Sequence, residues 1–95
     1  MDKHEALQIL ALEASRYGGS SHEFLQQLLA RPDTKEHVVP SGTHYQLEFS
    51  AAWDKRPGGA LRLFFSIDDG GLRAIFLLTR SALVEPHGVF DGTIA

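Results

Sequence analysis

The sequence predicts an α+β fold, with an N-terminal helical hairpin packed on one face of a curved antiparallel sheet of three to four strands joined as a meander. Three observations predict this class. Apolar residues recur at helical spacing in the first third of the chain, alternate with polar residues from position 43 onward, and are interrupted by glycine-containing turns. Ninety-five residues is the size of one domain, so we expect 1–95 to fold as a single unit.

The first helix is predicted over about 2–17. Asp2 can cap the free amides of the first turn, and Glu5 stands three residues later, as in a capping box. Gly18-Gly19 is expected to end the helix, because glycine adopts the left-handed conformation of a helix C-terminus at little cost. The apolar stripe consists of Leu7, Leu10, Ala11 and Ala14.

The second helix is predicted over about 20–31, with Ser20 as its first residue and Glu23 three positions on. Pro32 is expected to end it, since the residue before a proline is disfavoured in the helical region. The buried face is expected to consist of Phe24, Leu25, Leu28 and Leu29. The segment 33–42 then serves as a connector, in which 37–39 could add a short edge strand.

Three strands are predicted over about 43–53, 60–68 and 71–79, followed by a C-terminal segment 80–95. In the first two, every second residue is apolar, which is typical of a half-buried strand. The inner face of the first is expected to hold Tyr45, Leu47, Phe49, Ala51 and Trp53. The inner face of the second is expected to hold Leu61, Leu63, Phe65 and Ile67.

Asp69-Gly70 between the second and third strands is a strong hairpin signal. A two-residue turn there would pair Asp68 with Gly71. The remaining inner pairs would then be Ile67 with Leu72, Phe65 with Ala74, Leu63 with Phe76, and Leu61 with Leu78. All of these pairs are apolar, and this agreement supports the register.

The same register leaves an apolar group on the opposite, outer face of the sheet. This predicted interaction surface consists of Phe64, Ile75 and Leu77 with a polar rim of Arg62, Arg73 and Glu48. The helices can cover only one face of a sheet. The outer face is therefore expected to bind a protein partner or a second copy of the chain, or else to be covered by Leu83, Val84, Val89 and Phe90 of the C-terminal segment.

Catalytic, metal and cofactor sites are not predicted. The chain has no cysteine, and its five histidines do not show the spacings that aim two imidazoles at one metal. Asp68-Asp69-Gly70-Gly71 offers too few oxygens for calcium and is better explained as turn chemistry. The segment 55–59 lacks the strand–loop–helix context of a phosphate-binding loop.

Charge and hydropathy exclude two classes of partner. The formal charge is −3 and the nine cationic residues are dispersed, so we expect no nucleic-acid binding. No apolar run is long enough for a membrane span, and no signal segment follows Met1. Together with the lack of cysteine, this predicts a soluble cytoplasmic protein.

Two functions are consistent with these features. The first hypothesis is a small non-enzymatic interaction module, of the accessory, inhibitor or immunity type, that acts through the apolar sheet face as a partner-binding protein or a homodimer. The alternative is a small-molecule-binding or simple enzymatic domain. Its pocket would lie between the helices and a cupped sheet, lined by Tyr45, Phe49, Trp53 and Phe65, with His44, Glu48 or His87 at the rim.

Overall fold

The computed structural model describes residues 2–70 and 78–94, which contain three helices and four strands. In chain order these are α1 (Lys3–Ser15), α2 (His22–Leu25), α3 (Gln27–Ala30), β1 (Asp33–Val38), β2 (His44–Trp53), β3 (Leu61–Asp68) and β4 (Leu78–Val84). The strands form one sheet in the order β1-β2-β3-β4, and neighbouring strands are antiparallel. The predicted α+β class with an antiparallel sheet is confirmed. Within the described ranges, none of the helices could cross a membrane.

Helix α1 begins where the sequence places its cap. The Asp2 carboxylate accepts a hydrogen bond from the Glu5 backbone N–H at 3.1 Å. After the helix, the Gly18 N–H donates to the Ser15 carbonyl at 2.9 Å. A Cβ on Gly18 would lie 2.9 Å from that carbonyl oxygen and 3.4 Å from the Cα of Gly92. Gly18 therefore allows the C-terminal segment to pass close to the end of α1.

The second predicted helix is divided into two short helices at Gln26. The N–H groups of Gln26 and Leu29 donate to carbonyls three residues back, at 3.3 and 3.0 Å, which tightens the backbone as in a 3₁₀ turn. The N-cap is Ser21, whose hydroxyl accepts from the Phe24 N–H at 3.0 Å, and not Ser20. Arg31 is extended before Pro32, as the proline predicts.

Strand β1 replaces most of the predicted connector. It pairs along its whole length with β2, from Asp33 opposite Phe49 to Val38 opposite His44. Its sequence, Asp-Thr-Lys-Glu-His-Val, is mostly polar and carries little strand propensity of its own. Its pairing with the apolar strand β2 therefore determines its conformation.

Strands β2 and β3 carry the core. Alternate residues are buried along both, and Leu47, Phe49 and Ile67 are at most 2% exposed. They share one apolar cluster with residues of α1, the short helices and the C-terminal segment, among them Ala6, Leu10, Ala14, Leu25, Leu28, Val84 and Phe90. Helix α1 contacts β3 and β4, and α3 contacts β2.

The register between β3 and β4 corrects the predicted hairpin. Ile67 lies opposite Leu78, and Leu61 lies opposite Val84 rather than Leu78. The predicted pairing is therefore wrong by six residues. An even shift keeps every side chain on its expected face, so alternation alone could not reveal the error. The other predicted partners, Leu72, Ala74 and Phe76, lie outside the described residues, as does most of the predicted strand 71–79.

The C-terminal segment returns to the connection between α1 and α2. Gly19 N–H donates to the Phe90 carbonyl at 2.7 Å, and Phe90 N–H donates to the Ser20 carbonyl at 2.9 Å. The Phe90 ring stacks on Phe65, with 5.7 Å between centroids and an interplanar angle of 23°. This segment therefore contributes to the core side of the sheet.

Candidate functional site

The outer face of the sheet brings together three residues of the predicted interaction surface. Phe64 and Arg62 lie two residues apart on β3, and Glu48 lies on β2 opposite Ser66, one row away from Phe64. Side chains two residues apart on a strand share a face. The other three predicted residues, Arg73, Ile75 and Leu77, lie outside the described residues.

Phe64 lies between two serines in its row across the sheet. Ser50 is its partner on β2, and Ser81 is its partner on β4. Serine side chains are too short to cover an aromatic ring, and Phe64 is only partly buried. Leu83, 44% exposed, lies one row away opposite Arg62. The described part of this face is a mixed surface with one aromatic residue near its centre.

Arg62 is held in place at the edge of this surface. Its Nε donates to the Asp54 carboxylate at 2.9 Å, and one terminal nitrogen donates to the Ser81 hydroxyl at 3.4 Å. An arginine fixed in this way loses less side-chain entropy when it contacts another surface.

The C-terminal residues that could have covered the outer face are mostly directed elsewhere. Val84 and Phe90 are buried in the core, at 2% exposure each. Val89 forms a β-bridge with Ser21 and is 62% exposed. Of these residues only Leu83 shares the outer face with Phe64.

The pocket predicted between the helices and the sheet is filled by its own lining. Tyr45, Phe49 and Phe65 are each at most 1% exposed and belong to the apolar core. Phe49 and Phe65 pack edge to face, with 5.3 Å between ring centroids. Of the four predicted lining residues, only Trp53 borders an open space.

That space is a cleft of about 560 Å³, here called the Trp53 cleft. It lies where the N-terminal part of α2, the end of β2 and the turns at 54–60 and 85–88 meet. Its lining consists of Ser21, His22, Glu23, Gln26, Trp53, Gly58, Pro86, His87, Gly88 and Val89. The structure thus brings Trp53 together with His87, one of the predicted rim residues, whereas His44 pairs with Glu36 on β1.

His22 is the most buried side chain of the Trp53 cleft that carries ionisable nitrogens. The residue is 6% exposed, and its ring packs on Trp53 with 5.8 Å between centroids. Its Nε2 lies 2.8 Å from the Gly59 carbonyl, and its Nδ1 lies 3.1 Å from Nε2 of Gln26. No functional role is predicted for His22 from the sequence. Its spacing of four from Gln26 is the signal that could have linked the two.

A second polar cluster joins α1 to β1. Glu13 is 6% exposed, and its carboxylate lies 3.5 Å from His37 Nδ1, 3.6 Å from Arg16 Nε and 3.7 Å from Lys35 Nζ. Nearby, the Tyr17 hydroxyl donates to the Asp33 carboxylate. Burial, and then this hydrogen bond, raise the pKa of Tyr17. These contacts attach the polar strand β1 to the first helix.

In 2–70 and 78–94, no three histidine, aspartate or glutamate side chains are grouped so that they could hold one metal ion. His37 contacts Glu13, and His44 contacts Glu36. The Glu5 carboxylate, placed by the sequence in a capping box, instead accepts a hydrogen bond from the Tyr45 hydroxyl at 2.7 Å.

Comparison with known proteins gives no family for this chain: no protein-family model, curated protein or solved structure matches it.

The Tyr45 hydroxyl predicts a loss of stability in alkali. Burial, and then the hydrogen bond to Glu5, raise the pKa of Tyr45 to about 12. In the unfolded chain a tyrosine loses its proton near pH 10. Stability from Tyr45 is therefore complete below about pH 10 and is lost as the pH rises through about 12.

Thermal melts of the wild type and Tyr45→Phe between neutral pH and about pH 12 test this expectation. At neutral pH the free energy of unfolding of the variant should be about 1 kcal/mol lower than that of the wild type, because the hydrogen bond to Glu5 is missing. In alkali its melting temperature should fall less steeply than that of the wild type, with the remaining slope coming partly from Tyr17. Parallel curves for the two proteins would contradict the role given to Tyr45.

Proposed function

We propose that this chain is a small non-enzymatic interaction module that docks on a protein surface through the outer face of its sheet. The observation that carries the proposal is Phe64, a partly exposed aromatic side chain between Ser50 and Ser81 on the face opposite the core. Aromatic residues and arginine are enriched among residues that dominate protein–protein binding energy. Arg62, held by Asp54, is the neighbouring arginine.

We propose that the helices form a hairpin against the inner face of a curved sheet and leave the outer face available. Supporting this, the inner residues Leu63, Phe65 and Ile67 are buried while the alternate residues of β3 are partly exposed. The absence of cysteine favours action in a reducing compartment.

The experiment compares the wild type with Phe64→Glu. Burying a phenylalanine contributes about 1.5–3 kcal/mol, and a carboxylate at the same place would have to be desolvated. We expect the variant to stay folded by circular dichroism. If the partner is a second copy, light scattering should show a dimer for the wild type and a monomer for the variant. If the partner is another protein, the variant should no longer bind the protein that the wild type binds.

The matched control is Phe24→Glu. Phe24 is 53% exposed on α2 and does not belong to the outer face of the sheet, so this variant introduces the same charge on a different surface. It should behave as the wild type in both measurements. The proposal fails if Phe64→Glu and Phe24→Glu have the same oligomeric state and the same binding as the wild type.

The Trp53 cleft favours small-molecule binding as a second candidate function. The predicted pocket is occupied by core side chains. Trp53, which was expected to line that pocket, lines this cleft instead, together with polar side chains. Ligand sites typically combine these features in volumes of about 300–1,000 Å³.

A further inference from the structure

We propose that the Trp53 cleft binds a neutral, planar heteroaromatic ring that carries a hydrogen-bond donor and an acceptor on one edge, as an adenine base or its nucleoside does. This site is separate from the outer sheet face, so the inference does not depend on the docking function. It rests on three properties of the cleft: the orientation of one amide, the position of the tryptophan, and the charge of the lining.

The tautomer of His22 follows from its hydrogen bond to Gly59. Nε2 of His22 lies 2.8 Å from the Gly59 carbonyl, and a carbonyl can only accept. Nε2 therefore carries the hydrogen. In the neutral ring Nδ1 is then an acceptor, and it faces Nε2 of Gln26 at 3.1 Å.

The tautomer of His22 fixes the orientation of the Gln26 amide. One N–H of its amide donates to His22, which distinguishes the nitrogen from the oxygen in this side chain. Within the described part of the chain, neither the other N–H nor Oε1 of Gln26 has a hydrogen-bond partner. No buried side-chain nitrogen or oxygen there lacks a partner, so these two groups of Gln26 are accessible to solvent. Gln26 lines the Trp53 cleft, so one donor and one acceptor of its amide remain available to a ligand there.

The amide of Gln26 can pair with the edge of a heteroaromatic ring. A trans peptide unit directs its N–H and its carbonyl in opposite directions, so one glutamine amide cannot pair with both. The edge of an adenine carries an amino donor next to a ring-nitrogen acceptor, and glutamine pairs with both. Trp53 lines the same cleft and supplies an aromatic surface, on which any base can stack.

The charge of the lining separates a nucleoside from a nucleotide. Among the described residues that line the cleft, Glu23 is the one acidic side chain, and none is a lysine or an arginine. A phosphate group would be repelled by this carboxylate. We therefore expect a free base or a nucleoside to bind more tightly than the corresponding monophosphate.

The test titrates the protein with adenosine and follows the fluorescence of Trp53, the only tryptophan in the chain. We expect a saturable change. The matched ligand is N6,N6-dimethyladenosine, which stacks as well but has no amino hydrogen for Oε1 of Gln26. One bidentate pair contributes about 1–3 kcal/mol, so the dimethyl compound should bind about 5- to 150-fold more weakly.

The matched variants are Gln26→Leu and Gln8→Leu. Gln8 is exposed on α1 and outside the Trp53 cleft, so its variant should bind as the wild type does. Gln26→Leu should weaken adenosine binding by a similar factor and remove the preference over the dimethyl compound. The wild-type comparison of the two ligands needs no variant, so it stands even if Gln26→Leu folds poorly. Absence of saturable binding by adenosine, or equal affinity for both ligands, would overturn the proposal.

Discussion

Phe65→Ala is expected to lower the free energy of unfolding by about 3–5 kcal/mol, the range seen when a large aromatic side chain is removed from a packed core. Phe65 is 1% exposed and, within 2–70 and 78–94, contacts three other aromatic rings. They are Tyr17 on the connection after α1, Phe49 on β2, and Phe90 in the C-terminal segment. Since domains of this size are stable by only about 5–15 kcal/mol, much of the variant could be unfolded at physiological temperature.

Chemical denaturation of the wild type, Phe65→Ala and Phe24→Ala measures this effect. The control removes the same atoms from a side chain that is 53% exposed. Because about half of this side chain is buried, it should lower the free energy of unfolding by about 1 kcal/mol. Equal effects of the two substitutions would mean that Phe65 is not the centre of the core.

Glu13→Ala is expected to lower the free energy of unfolding by about 2–3 kcal/mol. The carboxylate is almost fully buried, and it lies within 4 Å of Arg16, Lys35 and His37. Its removal leaves a cavity and separates α1 from the polar side of β1. The cost falls below that of breaking a fully buried ion pair, because Lys35 and Arg16 can turn towards water.

Denaturation midpoints again provide the measurement, with Glu48→Ala as the control. Glu48 is exposed on the outer face of β2, and its loss should have little effect. Glu13→Gln keeps the volume of the side chain and should fall between Glu13→Ala and the wild type. A Glu13→Ala protein as stable as the Glu48→Ala control would show that this cluster does not hold β1 to α1.

The two faces of the sheet could be predicted because burial leaves a direct pattern in the sequence. A side chain on β2 or β3 is either in the core or outside it, and the period of two records this for each position. The assignment of Phe65 to the inner face and Phe64 to the outer face follows from that pattern alone. It holds in the structure although the pairing of β3 with β4 was predicted incorrectly.

Features that depend on distant partners could not be predicted in the same way. Strand β1 is polar and becomes a strand through its pairing with β2. The register of β4 depends on which of several apolar residues meets Ile67, and an even shift satisfies the same alternation. The division of the second helix at Gln26 has no glycine or proline to indicate it.

The candidate sites show the same division. Arg62, Phe64 and Glu48 could be placed on one face from the sequence, because they belong to two paired strands. The Trp53 cleft could not be found, because it joins α2 to turns that are about 30 and 60 residues away along the chain. The link between Glu13 and Lys35 was also missed, because the segment that forms β1 was expected to be a connector.

The docking of residues 88–90 onto the connection at 19–22 has a consequence for the order of folding. Its backbone hydrogen bonds, such as that between Gly19 and Phe90, close a loop of about 70 of the 95 residues, and the entropic cost of such a loop must be met before the contacts form. The β2–β3 pairing closes a much shorter loop and is expected to form earlier. In the transition state for folding, we therefore expect the central hairpin to be formed and the C-terminal segment to be still unattached. Because of this, Phe90→Ala should accelerate unfolding and leave the folding rate almost unchanged.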